Sequence, residues 1–187
     1  MLTHTDLKKG LKIVIDGQPF EVLESAPMKV AQRRPVMQTR IKNILNGNVS
    51  ERNFQQGEVF EEADIEKFEA KFLYAHRDCY FFSDVNNPGK RFDLTKDQIG
   101  NAVRFLKQNQ VVEALVFDGK VVNVSLPIKV QLKVTEAPPG IKGDRAQGGT
   151  KVVTLETGAQ INAPLFVEAE DVIEINTETG EYSRRVE

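Results

Sequence analysis

The sequence predicts an all-β protein made of small barrels or sandwiches, and three observations carry that prediction. Apolar residues recur mainly with period two, turn-forming residue pairs punctuate the alternating runs, and helical periodicity is confined to one short stretch. At 187 residues the chain is longer than one small domain needs, so two or three modules are expected.

The elements follow in order. Leu11 to Ile15 meets Asp16-Gly17 and then Phe20 to Leu23, which reads as strand, type I′ turn, strand, because Asp-Gly supplies the positive φ angles that turn requires. The same grammar recurs at Ile41 to Val49 around Asn46-Gly47, at Val111 to Val124 around Asp118-Gly119, and at Val172 to Tyr182 around Thr179-Gly180. Two aromatic strands, Phe72-Leu73-Tyr74 and Tyr80-Phe81-Phe82, flank a polar turn at Ala75-His76-Arg77-Asp78. The helix candidate is Thr95 to Leu106, with Thr95 as N-cap and Ile99, Val103 and Leu106 on one face.

Two breaks divide the strands: the acidic cluster Glu61-Glu62-Ala63-Asp64, and Leu126-Pro127. They define modules at 1–64, 65–127 and 128–187, which carry 9 cations against 9 carboxylates, 9 against 8, and 7 against 10. With this balance, and a net charge of −2, nucleic acid would be bound through local patches and not through bulk attraction. The single cysteine, Cys79, excludes an internal disulfide framework and fits a reducing compartment. The N-terminus lacks the apolar core of a signal peptide, and no stretch approaches the roughly 20 apolar residues that span a bilayer. A soluble cytoplasmic protein with no membrane partner is expected.

Signals of catalysis are sparse. Two histidines, His4 and His76, with one cysteine cannot form a Cys/His zinc site, so no metal is expected. Cys79 reads as a small core residue; a dyad with His76 is permitted by spacing, but nothing activates a thiolate. Phosphate-loop and nucleophile-elbow motifs are absent. No catalytic residue and no cofactor is expected.

The charge pattern is more telling. Ser25 to Ser50 holds no carboxylate but five cations, Lys29, Arg33, Arg34, Arg40 and Lys42. Three of them lie in the 29–35 stretch between two predicted strands. Pro27 and Pro35 stiffen its flanks, the flanking strands read as free of carboxylates, and Arg33-Arg34 offers permanently charged forks suited to phosphate. A solvated hairpin end has the same composition, but these three features together favour a basic tip that enters a phosphate-lined site. A second stretch, Ala137 to Thr150, combines Lys142 and Arg145 with four glycines that let backbone amides approach RNA closely. A mobile surface loop fits its composition equally well. Within it Gly140-Ile141-Lys142-Gly143 matches the GXXG of KH modules, but it follows a strand and Pro138-Pro139, where that motif must join two helices.

Several segments, in order, resemble bacterial elongation factor P: Gly10-Leu11-Lys12-Ile13-Val14-Ile15-Asp16-Gly17-Gln18-Pro19-Phe20, Ala137-Pro138-Pro139-Gly140-Ile141-Lys142-Gly143-Asp144, and Thr179-Gly180-Glu181-Tyr182-Ser183-Arg184-Arg185-Val186. Of the family's C-terminal signature, Lys151, Gly158, Ile161, Pro164 and Val167 match, while Val153, Ala163 and Glu170 depart from it.

The resemblance implies an SH3-like (KOW-like) N-terminal barrel followed by two OB-fold barrels, in a monomeric translation factor without enzymatic activity. Its implied partners are both ribosomal subunits, peptidyl-tRNA and the exit-site codon, and its implied role is to relieve stalls at consecutive prolines by steadying peptidyl-tRNA. The family tip reads Lys-Pro-Gly-Lys-Gly, with the second lysine modified to reach the tRNA CCA end. Aligned without gaps, this chain reads Lys29-Val30-Ala31-Gln32-Arg33, so Gln32 replaces the modifiable lysine and β-lysylation is chemically excluded there. Branches with an arginine tip exist, and the resemblance points to Arg33, supported by Arg34, as the group approaching the CCA end; which arginine occupies the tip stays open. Arg40 and Lys42 are expected on RNA backbone. The family's Gly-Asp-Thr, placed at the exit-site codon, reads Gly143-Asp144-Arg145, with Lys142 beside it. Two competing readings are an OB-fold single-stranded RNA-binding protein independent of the ribosome, which needs aromatics interleaved with cations, and a small hydrolase using Cys79.

Overall fold

The computed structural model describes residues 1–28, 36–139 and 149–186, and the protein is all-β, as the alternation predicts. Three antiparallel-rich sheets account for it. The first contains β1 (Leu2–Thr3), β2 (Lys12–Ile15), β3 (Gln18–Met28), β4 (Val36–Asn43), β5 (Val49–Gln55) and β6 (Val59–Glu62), in the order β1-β6-β2-β3-β4-β5. The second contains β7 (Glu66–His76), β8 (Cys79–Asp84), β9 (Arg91–Thr95), β10 (Val111–Phe117) and β11 (Lys120–Ser125), in the order β11-β10-β7-β8-β9. The third contains β12 (Lys129–Glu136), β13 (Thr150–Leu155), β14 (Gln160–Pro164), β15 (Val172–Asn176) and β16 (Tyr182–Val186), in the order β14-β13-β12-β15-β16. Among the described residues the only α-helix is α1 (Lys96–Ile99). The chain falls into two compact units: Met1–Phe68 with Leu94–Gly100 and Ala114–Val124, and Glu69–Asp93 with Asn101–Glu113 and the residues from Ser125 onward.

In the first unit, alternation along β2 and β4 sends Ile13, Ile15 and Ile41 inward to meet Leu7, Val22, Phe54 and Phe60. Phe54 and Phe60 meet edge to face, with centroids 4.8 Å apart. In the second unit, β12 alternates from Lys129 to Val134: Val130, Leu132 and Val134 are buried, while Lys129, Gln131 and Lys133 are exposed. Each buried aliphatic contributes about 1.5–3 kcal/mol of transfer free energy, so period-two patterning is enough to choose the face.

The turns largely follow the sequence reading. Asp16 and Gly17 sit at φ 51° and 74°, and Asp118 and Gly119 at 50° and 73°, both as expected for type I′. Around Asn46-Gly47 only the glycine has positive φ, and the turn is wider: the Asn43 amide donates to the Asn48 carbonyl and the Gly47 amide to the Asn43 carbonyl. Asn176, with Gly180 and Glu181, repeats the same bonds.

Two expectations need correction. The four-residue turn 75–78 shrinks to Arg77-Asp78, because both residues adopt positive φ (48° and 62°) and the ladder continues to His76↔Cys79. The helix expected over Thr95–Leu106 is broken. Thr95 does cap it, accepting from the Gln98 amide, but Gly100 at φ 67° stops α1 after one turn, and Gly100–Phe105 continues as 3-10 helix.

Candidate nucleic-acid interface

The predicted tip residues Lys29, Gln32, Arg33 and Arg34 lie outside the described residues, as do Lys142, Gly143, Asp144 and Arg145. What the structure describes is the pair of strands on which the first group is mounted. β3 and β4 pair from Phe20↔Asn43 to Met28↔Val36, interrupted by one irregularity at Leu23. β5 continues the register on the far side of β4, from Lys42↔Val49 to Val36↔Gln55. β4 turns Thr39, Ile41 and Asn43 inward and Gln38, Arg40 and Lys42 outward. Thr39, fully buried, is satisfied by donating from Oγ1 to the Arg52 carbonyl at 2.7 Å.

This register changes the electrostatic reading. The acid-free run in the sequence does not make an acid-free surface, because β3 begins at Gln18 and brings Glu21 and Glu24 into line. Lys42 stands opposite Glu21, and Arg40 stands between Glu24 on β3 and Glu51 on β5. Arg40 Nη1 lies 3.7 Å from Glu24 Oε1, with both side chains more than half exposed. The expectation that the flanking strands lack carboxylates therefore holds only for their distal part. There Ser25, Ala26, Pro27 and Met28 face Thr39, Gln38, Met37 and Val36, in that order, with no charge on either strand. On β5, Arg52 stacks its guanidinium 5.3 Å above the Phe54 ring and reaches Asp16 at 3.8 Å.

A second group of cations and aromatics, which the sequence reading did not single out, lies where β16 of the third sheet meets the turn after β14. Phe166 is 57 % exposed, with the Arg185 guanidinium 5.7 Å above its ring and Tyr182 meeting it edge to face. Alongside, Glu174 is almost buried and accepts from Arg184 and Lys129, each at 3.1 Å. The Arg184 hydrogen bond, followed by that of Lys129, holds the Glu174 carboxyl below its ordinary range. Glu156 is similar: burial opposes its ionisation, but hydrogen bonds from the Lys133 amide and the Lys107 ammonium outweigh burial and lower it. The only signal for the Glu174 pairing in the sequence was the Tyr-Ser-Arg-Arg run, whose Arg184 meets Glu174 on β15. Cys79 is half-buried and stands opposite His76 at the end of the β7–β8 ladder. No group of His, Cys, Asp and Glu among the described residues could hold a metal ion, and no described helix is long and apolar enough to cross a membrane.

Comparison with known proteins covers the chain in three consecutive matches. Residues 3–60 match the family model of the elongation factor P KOW-like domain, 65–124 that of the elongation factor P OB domain, and 130–185 that of the elongation factor P C-terminal domain. Elongation factor P of Natranaerobius thermophilus is 39% identical over 186 residues, spanning 100% of this chain and 98% of its own. Elongation factor P of Moorella thermoacetica is 40% identical over 185 residues, spanning 99% and 100% respectively. The solved structure titled eukaryotic translation initiation factor 5A from Methanococcus jannaschii aligns at a TM-score of 0.49 with 19% identity, over 66% of this chain and 92% of that one, a likeness from which no function follows.

Proposed function

We infer that this chain, which belongs to the elongation factor P family and is a translation elongation factor, binds the ribosome beside peptidyl-tRNA and promotes peptide-bond formation at polyproline stalls. In this reading residues 1–64, 65–127 and 128–187 are separate modules. Residues 29–35 approach the tRNA CCA end, and Lys142 to Arg145 lie at the exit-site codon.

The observation that supports it best is the β3–β4 arm. Its strands stay paired as far as Met28 and Val36, lose all charge over their last four register pairs, and frame a segment carrying Lys29, Arg33 and Arg34. The uncharged distal part of the arm places no carboxylate beside the cations at its end to repel or compete for phosphates, so those cations carry the attraction. The chemistry required of them is orientation: steadying an ester in a reactive pose removes entropy and reorganisation from the barrier without any proton transfer by the factor. Gln32 has no amine to extend, whereas Arg33 stays charged at every relevant pH and donates in a planar fork to phosphate. Arg33, with Arg34 in support, is therefore assigned the contact with the CCA end, unmodified. Arg145, where the family has threonine, adds a phosphate contact to the exit-site loop.

A reconstituted translation system reporting polyproline synthesis tests the reading, with unmodified wild type beside Arg33→Ala. Acceleration by wild type and loss in the variant is the expected result. Ribosome binding without acceleration would overturn the bare-arginine tip. Failure to bind ribosomes would favour the alternative, a ribosome-independent single-stranded RNA-binding protein, which the Phe166, Tyr182 and Arg185 arrangement beside the third sheet supports through stacking and charge.

A further inference from the structure

We propose that Asn123 is a positioning residue that sets the angle of the β3–β4 arm, an inference that rests on the polyproline reading above. Asn123 lies on β11 with 7 % of its surface exposed. Its Nδ2 donates twice, to the Ile44 carbonyl and to the Gln98 carbonyl, both at 2.9 Å, and its Oδ1 accepts from the Val124 amide at 2.7 Å. One amide thus joins three segments of the first unit: the turn that follows β4, the end of α1, and β11. The carbonyls it receives need donors, since Gln98 belongs to the last turn of a helix and Ile44 is buried in an irregular turn. An apolar residue of the same size would take a donor from both.

What makes this joint a matter of aim is where it sits. Ile44 is the residue immediately after β4, and its own amide donates to the Pro19 carbonyl near the start of β3, while Asn43 Nδ2 donates to Gln18 Oε1. The base of both strands of the arm is therefore gripped at the point Asn123 holds. The other end of the arm is Met28 and Val36. Eight residues of β4 at roughly 3.4 Å each make a lever of about 25 Å, so a tilt of about 5° at the base moves the far end by about 2 Å. A misplacement of about 1 Å at a reacting centre can cost on the order of a hundredfold in rate. Binding, which is spread over many contacts, is far less sensitive to the same tilt.

The test separates aim from stability and from affinity. Asn123→Ala is compared with wild type in two assays on the full chain. The first is the spread of distances between fluorophores on Gln38→Cys and Lys120→Cys, in a Cys79→Ser background and without ribosomes. The second is polyproline synthesis titrated to saturation. The expected result is a broadened distance distribution, ribosome affinity within about threefold of wild type, and a saturating rate lowered about tenfold or more. Asn123→Ser, which keeps one donor, should fall between the two and serves as the readout if the alanine variant does not fold. An unchanged distance distribution, or an unchanged saturating rate, in a folded variant overturns the proposal. If wild type itself gives no acceleration, the functional reading has failed, and the distance measurement still decides whether Asn123 sets the arm.

Discussion

Arg40 Nη1 and Glu24 Oε1 lie 3.7 Å apart across the β3–β4 ladder, in full view of solvent. The cation proposed to meet RNA backbone is thus already accompanied by a carboxylate. Exposed pairs of this kind contribute about 0–1 kcal/mol to stability, so their main effect is on a charged partner. Glu24→Gln should leave the melting temperature nearly unchanged and tighten ribosome binding by a few-fold. Arg40→Ala should weaken binding and make its logarithmic salt dependence shallower by about 0.7–0.9, the loss of one phosphate contact. Titration at several salt concentrations checks both; an Arg40→Ala slope equal to that of wild type would remove Arg40 from the interface.

Phe54 is wholly buried, meets Phe60 edge to face, and sits opposite Met37 on β4. Truncation of such a ring costs about 3–5 kcal/mol through lost transfer energy and the cavity left behind. Phe54→Ala should therefore lower the urea midpoint sharply, whereas Arg52→Ala, on the exposed neighbour above the ring, should change it by less than about 1 kcal/mol. Equal effects would show that the β4–β5 side of the first sheet is not closed by Phe54.

Acid should loosen the third sheet. The Glu174 carboxyl is lowered by the hydrogen bond from Arg184 and then by that from Lys129. Its folded-state pKa therefore lies below its unfolded one, so its stabilisation is fully present above the unfolded value of about 4.5 and is lost as pH falls through the folded value. Glu174→Gln should lower stability at pH 7 and flatten the fall in stability below pH ~4.5. Urea midpoints at neutral and acidic pH read this directly; parallel profiles for the two proteins would contradict it.

The Arg77-Asp78 turn carries two left-handed residues without a glycine. Left-handed backbone costs an L-residue roughly 1 kcal/mol, and Asn-Gly is the pair best suited to type I′. Arg77→Asn with Asp78→Gly should therefore stabilise the protein by about 0.5–1 kcal/mol, measured by denaturant unfolding. A destabilised double variant would mean that the native side chains hold the turn by contacts of their own.

How much of this was legible in the sequence depended on whether the signal was local. Asp16-Gly17 and Asp118-Gly119 announced their turns because each has a residue tolerant of positive φ followed by glycine. Arg77-Asp78 concealed the length of its turn because it lacks the glycine that marks the other two, and arginine gives no sign of positive φ. Gly100 was visible, but its φ of 67° was not, so one helix was expected where two different helical turns occur. The basic run at 29–34 is a matter of composition alone and lies outside the described residues. The glutamates beside its strands were not legible, since Glu21 and Glu24 become neighbours of Lys42 and Arg40 only through register. Asn123 looked like any polar position in an alternating strand; its role needs carbonyls 79 and 25 residues away.

The single turn of α1 has a consequence for the order of assembly. Thr95 and Gln98 satisfy each other at its start, with the Thr95 amide donating to Gln98 Oε1 at 2.9 Å and the Gln98 amide to Thr95 Oγ1 at 3.3 Å. Four residues are far too few to outlast the cost of helix nucleation alone, so the cap can act only once the flanking strands are in place. Thr95→Ala, worth about 1 kcal/mol at equilibrium, should then appear almost entirely as faster unfolding, with the refolding rate untouched. That outcome would make the helix a late closure, set after the sheets have already chosen their partners.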